Sequence, residues 1–139
     1  MVALYCDARQ FAAHPVQSVV RNASLEAHDL VTRECTVFYL ALEAGDTLKM
    51  VSQELTEAIL RRNRRLPVVI HSFNHLSDQP LPVADAQRLY QDLPDALRNA
   101  GITEVDSTTF GWIYAIELHD VGKPGAKGRM VKRNSLGTA

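Results

Sequence analysis

Apolar positions along the chain fall into short runs, and the period within each run separates strand from helix. Residues 2–6 are an apolar run that predicts a first strand. Residues 11–20 predict a second, interrupted at Pro15, which has no N–H for a sheet ladder and so suits an edge or a bulge. Residues 22–29 are polar and read as a loop. Residues 35–43 are almost continuously apolar and rich in β-formers, the pattern of a strand buried on both faces. After Gly45 the period changes. Asp46 or Thr47 can cap a helix by accepting from its free N–H groups. Leu48, Val51, Leu55, Ala58 and Ile59 then recur at helical spacing. Arg61, Arg62, Arg64 and Arg65 close that segment, where cations complement the helix dipole. Residues 67–73 return to the buried-strand pattern and run into a polar turn at 74–78.

Pro80 and Pro82 introduce a second helix with an apolar face of Val83, Ala86, Leu89, Tyr90, Leu93 and Leu97. Pro94 within it predicts a kink or a break, and Gly101 a stop. Residues 102–105 and 110–118 read as strands joined by a Ser/Thr-rich turn, 122–125 as a loop and 128–133 as a last short strand. The order predicts one α/β domain over residues 1–133, with 134–139 a frayed tail or the start of a linker. The expected architecture is a two-layer sandwich, two main helices packed on a mixed β-sheet. Its strand–helix–strand–helix–strand stretch allows parallel pairs with right-handed crossovers.

Composition narrows the class more than the function. A chain of 139 residues with 46% hydrophobic and 22% charged content can bury one ordinary core. The formal net charge of -1 leaves any RNA contact to local clusters of Lys and Arg. Cys6 and Cys35 form no CxxC pair and no zinc-spaced ladder, so they read as buried small hydrophobes and no metal is expected. No apolar run approaches the ~18 residues of a membrane span. The first residues lack the basic flank and cleavage site of a signal peptide. The expected location is the cytoplasm.

Three features carry candidate chemistry. His75 follows the carboxyl end of a buried strand, the edge at which α/β sheets collect ligands; the plainer reading is a loop histidine bonded to backbone. His71 is a poor co-ligand for it, since ~13 Å would separate the two in a continued strand. In Gly111-Trp112-Ile113-Tyr114, Trp112 and Tyr114 share one face of a strand and Ile113 takes the other. That segment is either ordinary sheet packing or a wall on which a nucleobase stacks. Arg61, Arg62, Arg64 and Arg65 form one basic cluster, and Lys123, Lys127, Arg129, Lys132 and Arg133 another. Each suits phosphate, or is simply a solvated charged surface. No nucleophile elbow, Walker loop, HExxH or dinucleotide fingerprint is present.

Residues 67–129 nevertheless carry a pattern. Ser72-Phe73-Asn74-His75-Leu76-Ser77, Arg88-Leu89-Tyr90-Gln91, Phe110-Gly111-Trp112-Ile113-Tyr114-Ala115 and the strand at 37–43 together resemble the N-terminal editing domain of archaeal threonyl-tRNA synthetases. The resemblance implies a D-aminoacyl-tRNA deacylase-like fold and a homodimer. It implies an enzyme that hydrolyses serine wrongly esterified to tRNA(Thr), without cofactor or metal. The partners implied are the tRNA acceptor end carrying serine and the synthetase catalytic domain, in cis or in trans. Serine lacks one methyl relative to threonine, worth only ~1–3 kcal/mol of discrimination, so a second sieve is needed.

By this resemblance His75 is the active-site histidine near the terminal adenosine. Ser72, Phe73 and Asn74 line the seryl pocket, largely through main chain. Leu42 presents backbone to the substrate and Ile113 stands where an aromatic residue is usual; Trp112, on its stacking face, joins them as a substrate-binding candidate from the residues alone. Two positions depart from the pattern: Tyr114 replaces a lysine and Lys127 a glutamate. Either Lys127 supplies a relocated ammonium, making Lys127 and Tyr114 catalytic candidates beside His75, or side chains do little. In the second case backbone N–H groups hold the carbonyl and the 2′-OH of the terminal adenosine positions water. Two further functions stay open: a D-aminoacyl-tRNA deacylase, and a non-catalytic tRNA-binding or dimerisation module.

Overall fold

The computed structural model describes residues 1–20, 26–62 and 65–133. Arg64, residues 22–25 of the polar loop and the tail at 134–139 lie outside them. The elements are β1 (Val2–Ser18), β2 (Leu30–Ala41), α1 (Leu48–Leu60), β3 (Val68–Ser72), a 3-10 turn (Asn74–Leu76), α2 (Val83–Asn99), β4 (Val105–Ser107), β5 (Trp112–Asp120) and β6 (Lys127–Val131). They form one six-stranded mixed sheet in the order β4-β3-β2-β1-β5, with β6 on the same edge of β1 as β5. β2–β3 and β3–β4 are parallel; β1 pairs antiparallel with β2, β5 and β6.

Local chemistry sets the helix ends. Thr47, rather than Asp46, caps α1 by accepting from Met50 N–H at 3.2 Å. Asp46 instead accepts from Glu43 N–H. At the end of α2, Gly101 adopts φ 102°, which a Cβ disfavours. Its N–H donates to Arg98 O and that of Ile102 to Leu97 O, closing the helix with satisfied carbonyls. Pro94 neither breaks α2 nor faces water: the helix runs unbroken past it and buries it.

Both helices cover one face of the sheet. Val51, Leu55 and Ile59 of α1 and Leu89, Leu93 and Leu97 of α2 pack with Phe38, Leu40, Val68 and Ile70. Truncating a fully buried member such as Leu55 to alanine costs ~3–5 kcal/mol in comparable cores. A smaller core of Ala8, Phe11, Ala13, Cys35, Val37 and Val69 lies on the other face.

Three expectations change. Residues 2–6 and 11–20 are not two strands: β1 is a single strand of 17 residues. Polar Asp7, Arg9 and Gln10 interrupt its pattern because the strand bulges there, as shown by the register shift between Ala8 and Gln10 and again beside Pro15. The second strand starts at Leu30, not 35, its first half carrying Thr32, Arg33 and Glu34 rather than being continuously apolar. β4 covers 105–107 rather than 102–105, and β4 and β5 do not form a hairpin but occupy opposite ends of the sheet. They can follow one another within a few residues because the sheet curls. His71 on β3 and Tyr114 on β5 meet with ring centroids 6.0 Å apart, although β2 and β1 stand between, a flat-sheet separation of ~14 Å. The bulges in β1 supply the bend. Among the described residues no helix is long and apolar enough to cross a membrane.

Candidate active site

The curl closes the start of β5 over the carboxyl end of β3, and a cavity of about 340 Å³ opens between them. That is a small-molecule-sized pocket at the low end of the usual range. One wall is the turn after β3. Phe73 N–H donates to Leu40 O at 2.8 Å, and the chain then winds into the 3-10 turn, with Leu76 N–H on Phe73 O and Ser77 N–H on Asn74 O. The first two N–H groups of that turn, Asn74 and His75, have no acceptor among the described residues, as the opening N–H groups of a helical turn do.

Side chains clamp this turn from below. Ser77 donates to Glu43 Oε2 at 2.6 Å, and Gln79 N–H donates to the Ser77 hydroxyl. Glu43 also receives Arg133 and the Met1 ammonium. Burial pushes the Glu43 carboxyl up, but the hydrogen bonds from Ser77, Arg133 and the ammonium outweigh it and hold the group at about 2. The Tyr90 hydroxyl donates to Leu40 O at 2.6 Å and lies 3.1 Å from the Asn74 side-chain amide.

The other wall is β5. Gly111, at φ 92°, turns the chain into the strand and accepts from Val19 N–H, tying in the end of β1. Phe110 stacks on Tyr90, centroids 5.1 Å apart. Trp112 and Tyr114 are half-buried and Ile113 is 50% exposed, as the alternation predicts. The Tyr114 hydroxyl accepts from Thr109 N–H at 2.8 Å and its ring packs edge-on against His71.

The structure thus brings Ser72, Phe73, Asn74, His75, Trp112, Ile113 and Tyr114 to one cavity. Leu42 and Lys127 are not there. Leu42 is buried in the helix-side core and its carbonyl accepts from Leu81 N–H, so that backbone group is occupied. Lys127 sits on β6 opposite Cys6 and pairs with Asp120 at 2.6 Å. A hydrogen bond and the charge of Asp120 raise the Lys127 ammonium, so it is held as a cation by that partner.

Sequence reasoning missed Val19 and Val20, Val83, Phe110 and above all His71, which also line the cavity. Val83 belongs to the helix pattern but is 53% exposed. His71 is buried, with Nδ1 2.8 Å from Thr108 Oγ1 and the rings of Tyr39, Phe11 and Tyr114 around it. Burial pushes its imidazole down to about 4, so it is neutral near pH 7. A signal existed: a histidine inside a buried-strand run must find polar partners. The two basic clusters meet elsewhere, across adjoining clefts lined by Arg61, Arg62, Lys123 and Arg129. Arg62 there pairs with Asp7 at 2.5 Å and covers the Tyr5 ring. Both cysteines are free and buried, and burial lifts the Cys35 thiol to about 11, away from reactive thiolate character.

The comparisons with known proteins agree with this architecture. The model of the archaea-specific editing domain of threonyl-tRNA synthetase matches residues 1–131. Among solved structures the chain is similar to the c-Myc DNA Unwinding Element Binding Protein, at 11% identity over 96% of this chain and 100% of that one, TM-score 0.71. It is also similar to a probable eukaryotic D-amino acid tRNA deacylase, at 10% identity over 93% and 97%, TM-score 0.54. At such identities both speak for the fold alone. No curated protein matches the chain in sequence.

Proposed function

The chain belongs to the archaea-specific editing-domain family of threonyl-tRNA synthetases and is an aminoacyl-tRNA deacylase, and we propose that it proofreads by hydrolysing serine from mischarged Ser-tRNA(Thr) while sparing Thr-tRNA(Thr). The observation that carries this reading is the convergence of Ser72–His75 main chain and the Trp112–Tyr114 strand on one small cavity. The tRNA acceptor end is the substrate. A second copy of the chain and the synthetase catalytic domain, in cis or in trans, are the partners this reading carries.

The chemistry asks little of side chains. Water attacks the ester carbonyl carbon, the bond from that carbon to the adenosine 3′-oxygen breaks, and a proton passes to the leaving oxygen. Serine and free tRNA result. The N–H groups of Asn74 and His75, which have no acceptor among the described residues, are suited to hold the developing oxyanion, where fixed donors contribute most. The 2′-OH of the terminal adenosine orients the water. His75, exposed at the mouth, contacts the adenosine, and Trp112 offers a stacking face. Tyr114 acts by fixing the β5 corner through Thr109. Backbone donors do not depend on residue identity, so the site tolerates tyrosine where relatives carry lysine.

The test is release of amino acid from Ser-tRNA(Thr) and Thr-tRNA(Thr), with chelator present. Fast loss of serine with threonine retained is expected. Stability of both esters, with turnover of a D-aminoacyl-tRNA, would overturn the assignment.

A further inference from the structure

We propose that His71 is a substrate-recognition residue of this site, reading the side-chain hydroxyl of the aminoacyl group through a hydrogen bond at its Nε2 and so selecting hydroxyl-bearing aminoacyl groups over alanyl ones. The inference rests on the proposed function and names how the substrate is recognised.

His71 has one nitrogen anchored and one open. Nδ1 is 2.8 Å from Thr108 Oγ1, and Thr108 is itself pinned to β3 by its N–H on Ile70 O. No partner for Nε2 occurs among the described residues, and the only buried side-chain polar atom there without a partner is the Thr56 hydroxyl. Nε2 is therefore not sealed in the core, and His71 borders the cavity. The ring cannot swing away, because Tyr39, Phe11 and Tyr114 hold it at centroid distances of 5.2, 5.9 and 6.0 Å. A fixed polar atom on an otherwise aromatic floor is how a pocket reads one substrate group.

The chemistry of the lining selects which group. The aminoacyl end of the substrate carries an ammonium and, for serine, a hydroxyl. Among the described residues no Asp or Glu lines the cavity, so an ammonium placed against a neutral imidazole would be desolvated without a counter-charge, which is costly. A hydroxyl both donates and accepts. It therefore pairs with Nε2 whichever way the Thr108 contact fixes the tautomer: with the lone pair if Nδ1 holds the proton, with the N–H if Nε2 does. The ammonium, by contrast, is left at the open mouth of the cavity, in reach of water.

Alanine differs from serine by that hydroxyl alone, so Ala-tRNA(Thr) is the probe. Hydrolysis of Ser-tRNA(Thr) and Ala-tRNA(Thr), each corrected for its spontaneous rate, is measured with the wild type and with His71→Phe, His71→Gln and Thr108→Val. A site that hydrogen-bonds a hydroxyl discriminates against its absence strongly, so the wild type should prefer the seryl ester by at least about tenfold. His71→Phe should lower seryl kcat/KM by at least about tenfold and leave the alanyl value within about twofold. Thr108→Val should lose part of the preference and His71→Gln keep part of it. A merely structural role would lower both rates together. Equal wild-type rates on the two esters overturn the inference whether or not any variant folds, as does a His71→Phe protein that keeps the preference. A wild type inert on Ser-tRNA(Thr) removes the proposed function and this inference with it.

Discussion

Glu43 gives the sharpest link between the charge network and the site. It is 6% exposed and receives Ser77, which holds the turn carrying His75, together with Arg133 and the Met1 ammonium. Its carboxyl lies at about 2 against an ordinary 4.5. At ~1.4 kcal/mol per pKa unit that difference corresponds to about 3 kcal/mol of stability at neutral pH. Arg133 is 61% exposed, so its contribution is screened, and Glu43→Gln should cost about 2 kcal/mol at pH 7. The folded-state value lies below the unfolded one. The stabilisation is therefore complete above about pH 4.5 and disappears as pH falls from there toward about 2. Urea unfolding of wild type and Glu43→Gln at pH 7, 5, 4 and 3 measures this. The gap should hold between pH 7 and 5 and narrow steadily below. His71 titrates in a different window. Its folded value of about 4 lies below the ordinary 6.5, so the unfolded chain gains its proton first and both proteins lose stability in parallel between those values. A difference below ~0.5 kcal/mol at pH 7, or a gap unchanged at pH 3, would refute the reasoning.

Other substitutions probe the remaining parts. Tyr114→Phe removes the acceptor of Thr109 N–H and should destabilise by about 1 kcal/mol, read by thermal unfolding, while lowering kcat through the β5 corner. Lys127→Met should leave seryl ester hydrolysis within about twofold, since Asp120 holds that ammonium away from the cavity; a large loss would place Lys127 in the chemistry. Gly128→Ala puts a Cβ against the hydroxyl end of Tyr5, whose ring Arg62 also covers, and should cost ~1–3 kcal/mol in chemical denaturation.

Much of this was legible in the sequence, for physical reasons. The α1 face of Val51, Leu55 and Ile59 and the stop at Gly101 are local and periodic, so they read directly. The buried pattern of residues 67–73 located β3 and hence the end at which a site forms. What could not be read is long-range. The bulges in β1 made one strand look like two, because polar Arg9 and Gln10 fall where the register slips. The curl that brings Tyr114 to His71 depends on those bulges, so the spatial neighbours of β4 and β5 were hidden. Lys127 looked close because it matched a family position, and only the pairing of β6 with Cys6 separates it from the cavity. His71 was passed over because its partner Thr108 lies in a turn far along the chain.

The claim that the ester is cleaved in the cavity between the β3 turn and β5 is tested most directly by filling that cavity. Val83 lines it, is 53% exposed and opens the first turn of α2, so a larger side chain there meets the cavity rather than the core. Single-turnover hydrolysis of Ser-tRNA(Thr) by Val83→Trp should fall at least about tenfold relative to wild type, with the melting temperature little changed. An unchanged rate in that folded variant would place the chemistry elsewhere on the molecule.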